Sequence, residues 1–452
     1  MRDGFQFVGR IPYPVTEPKH LVVASEVATL DFLRSHGTPV PKVYSYSATS
    51  ENAAGTEYLF MELIRGTNLG DIWLNLSGKA KITVVTKLVE LESRLFTLPF
   101  PASGSLYYTK DLEAGSNRVD VPVTNSSDDS QFCIGPDTRL SLWHGNRINI
   151  RSDHGPLMAL TAGAKKEMAY LKKLGRPLHP FQRLHREIYD YQKQSLSEHL
   201  DSLEKYLRIA PHLVPNGNDT LTRATLRRPD LQPNNVFVSD ELEITGLIDW
   251  QHCAILPLFL QCGIPNSLQN YGDSVSESLV TPELPHNFDA LGGREQFEQV
   301  VRLRRRQLHY FYVSTTAKLN PTHYDALTND FSTLRRDSVT LKADLIHLTK
   351  NWTNIVTSGP SPSCPINFSE EEVSECLCLN TAQVEADEQL QACRDAIGIG
   401  PEGWVPVEQY DEIKQRESKL KAGALEAAES EEERARLCEH WIFDDYDEEE
   451  YS

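Results

Sequence analysis

A chain of 452 residues, 40% hydrophobic and 24% charged, is long enough to bury a two-lobed core with an extension. Its 64 acidic against 45 basic residues give a formal net charge of −19, which repels phosphate backbones and argues against nucleic acid as a partner. No apolar run approaches the roughly 18 residues of a membrane span, and the eight cysteines, with no C-x-x-C pair and no zinc-like spacing, read as reduced thiols and small core residues.

The start Met1-Arg2-Asp3-Gly4 has the character of neither a signal peptide nor an Arg-rich transit peptide. Phe5 to Pro12 alternates as a strand, and Ala24 to Ser35 carries a helical stripe that turns Val27, Leu30 and Phe32 or Leu33 inward. Glu57 to Leu63 is a short apolar strand, and Arg65-Gly66-Thr67-Asn68-Leu69-Gly70 is a turn that opens an amphipathic helix. Helical stretches follow around Lys79 to Leu98, Ala164 to Leu174 and His179 to Ile209, the last ending at Ala210-Pro211, with a polar segment from Ala114 to Ser130 among them. Beyond residue 290, helices are expected near Gly293 to Lys318 and Tyr324 to Thr349, then a linker at Gly359-Pro360-Ser361-Pro362-Ser363, then an acidic helical tail that Ser369 caps. Cys376-Leu377-Cys378 reads as one buried and one exposed position on that helix.

Between these helical regions lies the stretch that carries chemistry. Asp230 in Pro229-Asp230-Leu231-Gln232-Pro233-Asn234-Asn235 is followed after four residues by Asn235, and a second acid stands in Leu247-Ile248-Asp249-Trp250. Kinase-type phosphoryl transfer uses an Asp to orient the attacking group and accept its proton, and an Asn and a second Asp as hard oxygen ligands for magnesium. Asn235 to Val238 reads as a strand, Ser239-Asp240-Glu241 as a turn and Ile244 to Ile248 as the antiparallel return, a hairpin that brings Asp249 back beside Asn235. An isolated Asp-x-x-x-x-Asn is weak; joined to the hairpin and the second Asp it reads as a site.

These segments, with Gly246-Leu247-Ile248-Asp249-Trp250-Gln251, resemble the active-site signature of the aminoglycoside phosphotransferase and choline kinase-like superfamily. Within it the chain is similar to the fungal group related to altered inheritance of mitochondria protein 9, through Arg10-Ile11-Pro12-Tyr13-Pro14, Ser25-Glu26-Val27-Ala28-Thr29, Pro39-Val40-Pro41-Lys42-Val43, Trp250-Gln251-His252-Cys253-Ala254 and the ending Trp441-Ile442-Phe443-Asp444-Asp445. The resemblance implies a protein kinase-like α+β fold: a reduced nucleotide-binding lobe over residues 1–65, a mainly helical large lobe over 66–357 and an acidic helical extension over 358–452. It implies ATP as co-substrate, Mg2+ as cofactor, a small hydroxylated molecule as acceptor and mitochondrial residence, with the cytoplasm as the alternative.

On that basis Asp230 is the expected base, Asn235 and Asp249 are the expected metal ligands, and Arg10 on the strand and Glu26 on the following helix are the expected cation and its carboxylate partner. Backbone groups of Glu62 to Ile64 are expected to meet an adenine ring. Three departures stand against the family pattern. Arg10 replaces the more usual Lys with a planar fork. Arg228 stands where the family has an orienting His, either as charge near the phosphate or as half of a solvated pair with Arg227. About nine residues precede Arg10, and at roughly 3.3 Å each they cannot form a hairpin plus that strand, so the strands of the phosphate-covering loop are expected to be missing. A pseudoenzyme that keeps the fold as a binding or scaffolding module is therefore the rival expectation.

Three further features are weighed the same way. Gly398-Ile399-Gly400-Pro401-Glu402-Gly403 has a phosphate-loop spacing but follows an acidic helix, and Pro401 lacks a donor, so it is set aside. His252 reads as a hydrogen-bonded structural histidine. From Ile366 to Ser452 there are 25 acidic against 7 basic residues, a net of −18, which leaves the rest of the chain almost neutral. The tail is expected to be a solvated acidic helix, to bind a basic protein partner, or to shield Arg302, Arg304, Arg305 and Arg306.

Overall fold

In the computed structural model, which describes residues 4–13, 18–73, 75–113, 116–122, 132–143, 155–215, 219–228, 230–328, 338–355, 363–399, 405 and 407–444, the alternating N-terminal segment forms strand β1 (Phe7–Arg10). Helix α1 (Lys19–Ser35) follows, then β2 (Val43–Ser47) and β3 (Tyr58–Glu62), in an antiparallel sheet of order β1-β3-β2. The helix begins earlier than its apolar stripe suggests, just after Pro18, which sits extended as the N-cap and has no N–H to contribute. Val27, Leu30, Phe32 and Leu33 are all buried, and so are Ser25, Glu26 and Thr29, because α1 is covered on more than one side.

After a two-residue strand β4 (Thr67–Asn68) come the short α2 (Leu69–Trp73) and the long α3 (Gly78–Leu95), whose N-cap Ser77 accepts a hydrogen bond from the Ala80 N–H. A sheet that the sequence did not announce follows: β5 (Ser105–Tyr108), β6 (Val119–Asp120) and β7 (Phe132–Gly135), in the order β5-β7-β6, with β5 against α1. Helix α4 (Pro156–Leu174) is longer than expected. The helix expected over His179–Ile209 is two, α5 (Arg183–Ile188) and α6 (Leu196–Leu213). The break falls where Asp190 and Tyr191 adopt left-handed φ values of 49° and 57°, and the Tyr191 N–H closes back onto the Arg186 carbonyl at 2.8 Å.

Helix α7 (Asp219–Thr222) leads into β8 (Ala224–Arg227), then β9 (Val236–Val238), β10 (Ile244–Leu247) and β11 (Ala254–Pro257). β9 lies between β10 and β4, and β8 pairs with β11, all antiparallel. The remaining elements are helical: α8 (Ser274–Glu277), α9 (Gly293–Leu319), α10 (Pro321–Thr328), α11 (Ser338–Lys350), α12 (Trp352–Ile355), α13 (Glu370–Ile397), α14 (Tyr410–Ala427) and α15 (Glu431–Glu439). The single helix expected over Tyr324–Thr349 is therefore α10 and α11, with residues 329–337 outside the described ones. Most of the linker at 359–363, the glycines from 400 of the rejected phosphate-loop match, residues 114–115 and 123–130 of the polar segment, and the acidic run 445–450 also lie outside them.

Two compact units emerge, Met1–Glu167 with Ala210–Thr333 and Met168–Ile209 with Leu334–Ser452. In the first, one apolar core runs from Leu33 of α1 through Leu59 of β3 and Leu88 of α3 to Val236, Leu247 and Trp250. Each such side chain, fully buried, contributes about 1.5–3 kcal/mol, so the hairpin at the end of this core is held as firmly as the helices. In the second, α13 packs on α11 and α5, with Ala343, Ile346 and Cys376 at its centre. Ser369 caps α13 as expected, in a reciprocal capping box with Glu372.

The acidic extension packs through a few positions of α13 and α14 and through Trp441, while most of its helical positions are exposed as expected. Lys205 pairs with Asp201 at 2.6 Å and lies 3.9 Å from Glu372, while Asp444 lies 3.0 Å from Lys421 and 3.9 Å from Arg183. Trp441 is buried and donates its indole N–H to Glu417 at 3.0 Å. Among the described residues no helix is long and apolar enough to cross a membrane.

Candidate active site

The loop from Arg228 to Asn235 leaves β8 and tightens into a 3-10 turn at Pro233–Asn235 before β9 begins. Asp230 is fixed from three directions. Its Oδ2 accepts hydrogen bonds from Asn235 Nδ2 at 3.1 Å and Gln232 Nε2 at 2.8 Å, and its carbonyl accepts from Asn235 Nδ2 at 3.2 Å and from Arg228 Nη1. The carboxylate itself is exposed.

The β9–β10 hairpin forms in the expected register, with Leu247 opposite Val236, and the Ile248 N–H bonds to the Asn235 carbonyl at 3.0 Å. The next residue, Asp249, takes a left-handed φ of 64° that turns its carboxylate out of the strand direction. Gly246 permits the close approach of Ile64: a Cβ there would stand 2.6 Å from Ile64 Cγ2. Asn68 Nδ2 donates to the Asn234 carbonyl at 2.8 Å, tying the start of α2 to the catalytic turn.

Arg10, the cation expected from the sequence, uses both arms of its fork. Nη1 donates to Glu26 Oε1 at 2.6 Å and Nη2 to Asp249 Oδ1 at 2.7 Å, so strand β1, helix α1 and the turn after β10 share one ionic centre. Burial works against the Arg10 charge, but Glu26 and Asp249 outweigh it and raise its pKa. Glu26 is almost wholly enclosed; burial raises its pKa to about 7, with Asp249 pushing the same way and Arg10 and the Trp250 N–H opposing.

The basic pair Arg227-Arg228 is not solvated, contrary to one of the two readings of the sequence. Arg227 is buried against Glu92 at 2.9 Å, and its Nη2 meets the Tyr312 hydroxyl, also at 2.9 Å, which in turn donates to Glu92 at 2.6 Å. Arg228 is buried too, and its Nη2 donates to the Asp249 carbonyl at 3.0 Å. It therefore clamps the two loops, one arm on each, which is the orienting work expected of a histidine there. Burial lowers the Arg228 pKa although Asp249 and Asp230 favour its charge.

Glu26, Arg10, Asp249, Arg228, Asp230 and Asn235 thus form one connected network. Glu62 lies apart from it, accepting from the Lys42 N–H at 3.0 Å and Arg34 at 3.3 Å, and Ile64 meets the hairpin through Gly246. His252 is structural, its Nδ1 held 2.7 Å from the Thr138 carbonyl. Sequence reasoning missed Gln232 and the double grip of Arg228; nothing in a spacing pattern says where a guanidinium points. For a magnesium ion the donors fit: Asn235 spends its amide N on Asp230, and among the described residues Asn235 Oδ1 and Asp249 Oδ2 carry no hydrogen bond.

Comparison with known proteins shows the family. Residues 3–259 match the phosphotransferase enzyme family. A subtelomeric hrmA-associated cluster protein of Aspergillus fumigatus is 30% identical over 98% of this chain and 93% of its own length. The mitochondrial altered inheritance of mitochondria protein 9 is 23% identical in Saccharomyces cerevisiae, over 90% of this chain and 70% of that protein, and 24% identical in Yarrowia lipolytica, over 91% and 73%. A candidate aminoglycoside phosphotransferase of Ralstonia eutropha JMP134, solved by crystallography, aligns over 85% of this chain and 86% of that one at 12% identity with a TM-score of 0.29.

Proposed function

Because the chain belongs to the phosphotransferase enzyme family, we propose that it transfers a phosphoryl group from ATP to a hydroxyl of a small molecule, with Asp230 as the base. The observation that supports this reading is the continuous network from Glu26 through Arg10, Asp249 and Arg228 to Asp230 and Asn235, which joins the expected base, metal ligands and cation. Asp230, held by Gln232 and Asn235, would orient the acceptor hydroxyl and take its proton. Asn235 and Asp249 would hold magnesium, which when bound neutralises charge on the nucleotide phosphates. Arg10 would trade its bond to Asp249 for the phosphates while Glu26 keeps the fork in place, and the backbone of Glu62 to Ile64 would border the adenine. Residues 1–65, 66–357 and 358–452 would act as nucleotide lobe, large lobe and acidic extension. Mitochondrial residence, which the names of the yeast relatives carry, belongs to this proposal; imaging of the tagged full chain distinguishes it from the cytoplasm.

One observation favours a second reading, a binding or scaffolding protein without turnover. The Arg10–Asp249 ion pair already occupies one carboxylate oxygen of the ligand that magnesium needs, at 2.7 Å. Thermal unfolding with ATP, with and without magnesium, separates the two. A ligand at 100 times its dissociation constant adds about 2.7 kcal/mol, so binding is readable as a clear rise in the midpoint. The enzyme reading expects a magnesium-dependent rise that Asp249→Asn abolishes, and turnover that Asp230→Ala reduces by at least a hundredfold with the rise retained, in the range typical of a lost acid–base group. A rise independent of magnesium, or full turnover in Asp230→Ala, would overturn it.

A further inference from the structure

The β1-β3-β2 sheet has two unlike faces. On one, Val8 of β1, Val43 and Tyr46 of β2, and Leu59 and Met61 of β3 pack into the core with α1, and Arg10 points from the same side of β1 to Glu26 and Asp249. The other face is aromatic and open. Burial alternates residue by residue from Phe7 to Tyr13, so Phe7, Gly9, Ile11 and Tyr13 share the outer side of the strand and its continuation. Phe60 of β3 stands opposite Gly9 in the register, and Tyr44 lies exposed on β2. The rings form one surface: Phe5 meets Tyr44 edge-on at 5.2 Å, Phe7 meets Phe60 edge-on at 5.2 Å, Phe5 and Phe7 are 6.3 Å apart, and Tyr58 is 4.9 Å from Phe60. Gly9 keeps this surface flat, since a Cβ there would stand 3.1 Å from the Phe60 ring that lies over the strand.

Apolar surface of this extent is costly to leave in water. Tyr13 is 79% exposed and Ile11 63%, while Phe5, Phe7, Tyr44 and Phe60 lie between 36% and 43%. At about 200 Å² for a whole aromatic side chain, these six leave roughly 600 Å² open. That is the upper end of the largest patch a monomer usually carries, about 300–600 Å². A dimer of standard size covers about 800 Å² on each partner, of which about 65% is apolar when the partners are alike, so one such face supplies what a two-fold contact needs. The surrounding charges choose among occupants. Lys42 lies over Tyr44, 6.0 Å from the ring centroid, and Glu62 at the end of β3 is held by Arg34 and the Lys42 N–H. Among the described residues of this face no cluster of Lys and Arg accompanies the rings to hold an anionic membrane, and the net charge of −19 repels one. A second copy presents the same uncharged rings, and a two-fold axis brings them together without placing like charges in contact. We infer that the aromatic face of the β1-β3-β2 sheet is a dimer interface, covered by the same face of a second copy of this chain. β1 lies between that interface and the ionic centre of Arg10, so the second copy backs the strand that holds the cation. The inference stands independently of turnover at Asp230.

Sedimentation velocity of the full chain, from micromolar to submillimolar concentration, tests it with three variants. Phe60→Glu and Tyr13→Glu alter the aromatic face, and Phe297→Glu adds the same charge at an exposed ring on α9. Each substitution on the face enters a two-fold contact twice and sets two carboxylates against apolar surface. The expected result is a concentration-dependent dimer in the unaltered chain and in Phe297→Glu, and at least a tenfold weaker one in both Phe60→Glu and Tyr13→Glu. Tyr13 is mostly exposed, so Tyr13→Glu carries the test if Phe60→Glu fails to fold. A chain that stays monomeric throughout, a dimer untouched by either variant of the face, or a dimer that Phe297→Glu weakens as much would each overturn the interface. So would a monomer that sediments with vesicles of anionic phospholipid and loses them in Tyr13→Glu, since a membrane would then be the occupant.

Discussion

A carboxyl enclosed by protein and facing a second carboxylate holds its proton longer than one in water, and Glu26 meets both conditions. Its pKa of about 7 in the folded chain lies above the ordinary 4.5, with burial as the first cause, and Arg10 only partly offsets it. The sign of the linkage follows. A pKa raised by folding adds stability that is complete below about pH 4.5 and is lost as pH climbs through about 7. Chemical denaturation between pH 4 and 8 should therefore show a downward slope in the unaltered chain that Glu26→Gln flattens; an unchanged slope in the variant would mean that the Arg10 pairing keeps Glu26 ionised. Asp230, Asn235 and Asp249 were legible because their spacing follows from a loop and a hairpin, and Arg10 and Glu26 were legible only through the family resemblance. The electrostatic state of Glu26 was not, since it depends on Asp249, more than two hundred residues away in the chain.

At the scale of elements, the candidate catalytic loop is positioned from behind by Arg227, the last residue of β8, which fastens that strand to α3 through Glu92 and to α9 through Tyr312. Burial alone would raise the Glu92 pKa, but Arg227 and the Tyr312 hydroxyl outweigh it and hold the carboxyl below its usual range. Breaking such a buried pair by removing one partner costs about 3–5 kcal/mol. Urea denaturation should show a loss of that size in Arg227→Met and in Glu92→Leu singly, and a smaller loss in the double variant than the sum of the two. Additive losses would mean that the pair is not coupled. No periodicity announces this network: Arg227 reads as half of a basic pair because its neighbours in space come from residues 92 and 312. The β9–β10 hairpin was legible because turn residues and alternation both lie within a dozen positions. The β5-β7-β6 sheet was not, because its strands of two to four residues are separated by a polar stretch longer than any of them, and pairing across that distance leaves no local mark. The break between α5 and α6 escaped for a related reason: Asp190 and Tyr191 take left-handed φ without a glycine to advertise it.

For the whole molecule, the two units differ in what their cysteines can report. Cys133, Cys253 and Cys262 are buried in the first unit, and burial pushes the Cys253 thiol up to about 12, against the opposing charge of Arg228. In the second unit Cys376 is buried against α11 while Cys378 is exposed, the alternation expected of neighbouring positions on α13, and Cys438 on α15 is exposed too. A thiolate is the reactive form, so an enclosed thiol with a raised pKa is silent until its surroundings open. Thiol labelling of the native chain read by mass spectrometry should modify Cys378 and Cys438 first and leave Cys133, Cys253 and Cys376 intact. With added denaturant, Cys133 and Cys253 should become reactive together, because β7 and the segment between β10 and β11 belong to one unit and share its unfolding. Cys376 should follow the opening of α11 from α13, at a midpoint of its own. Separate midpoints for Cys133 and Cys253 would divide the first unit and place the catalytic hairpin in a different cooperative block from the β5-β7-β6 sheet. In that case the firmness of the site would have to come from the ion pairs of Arg10 and Arg227 and not from the shared core.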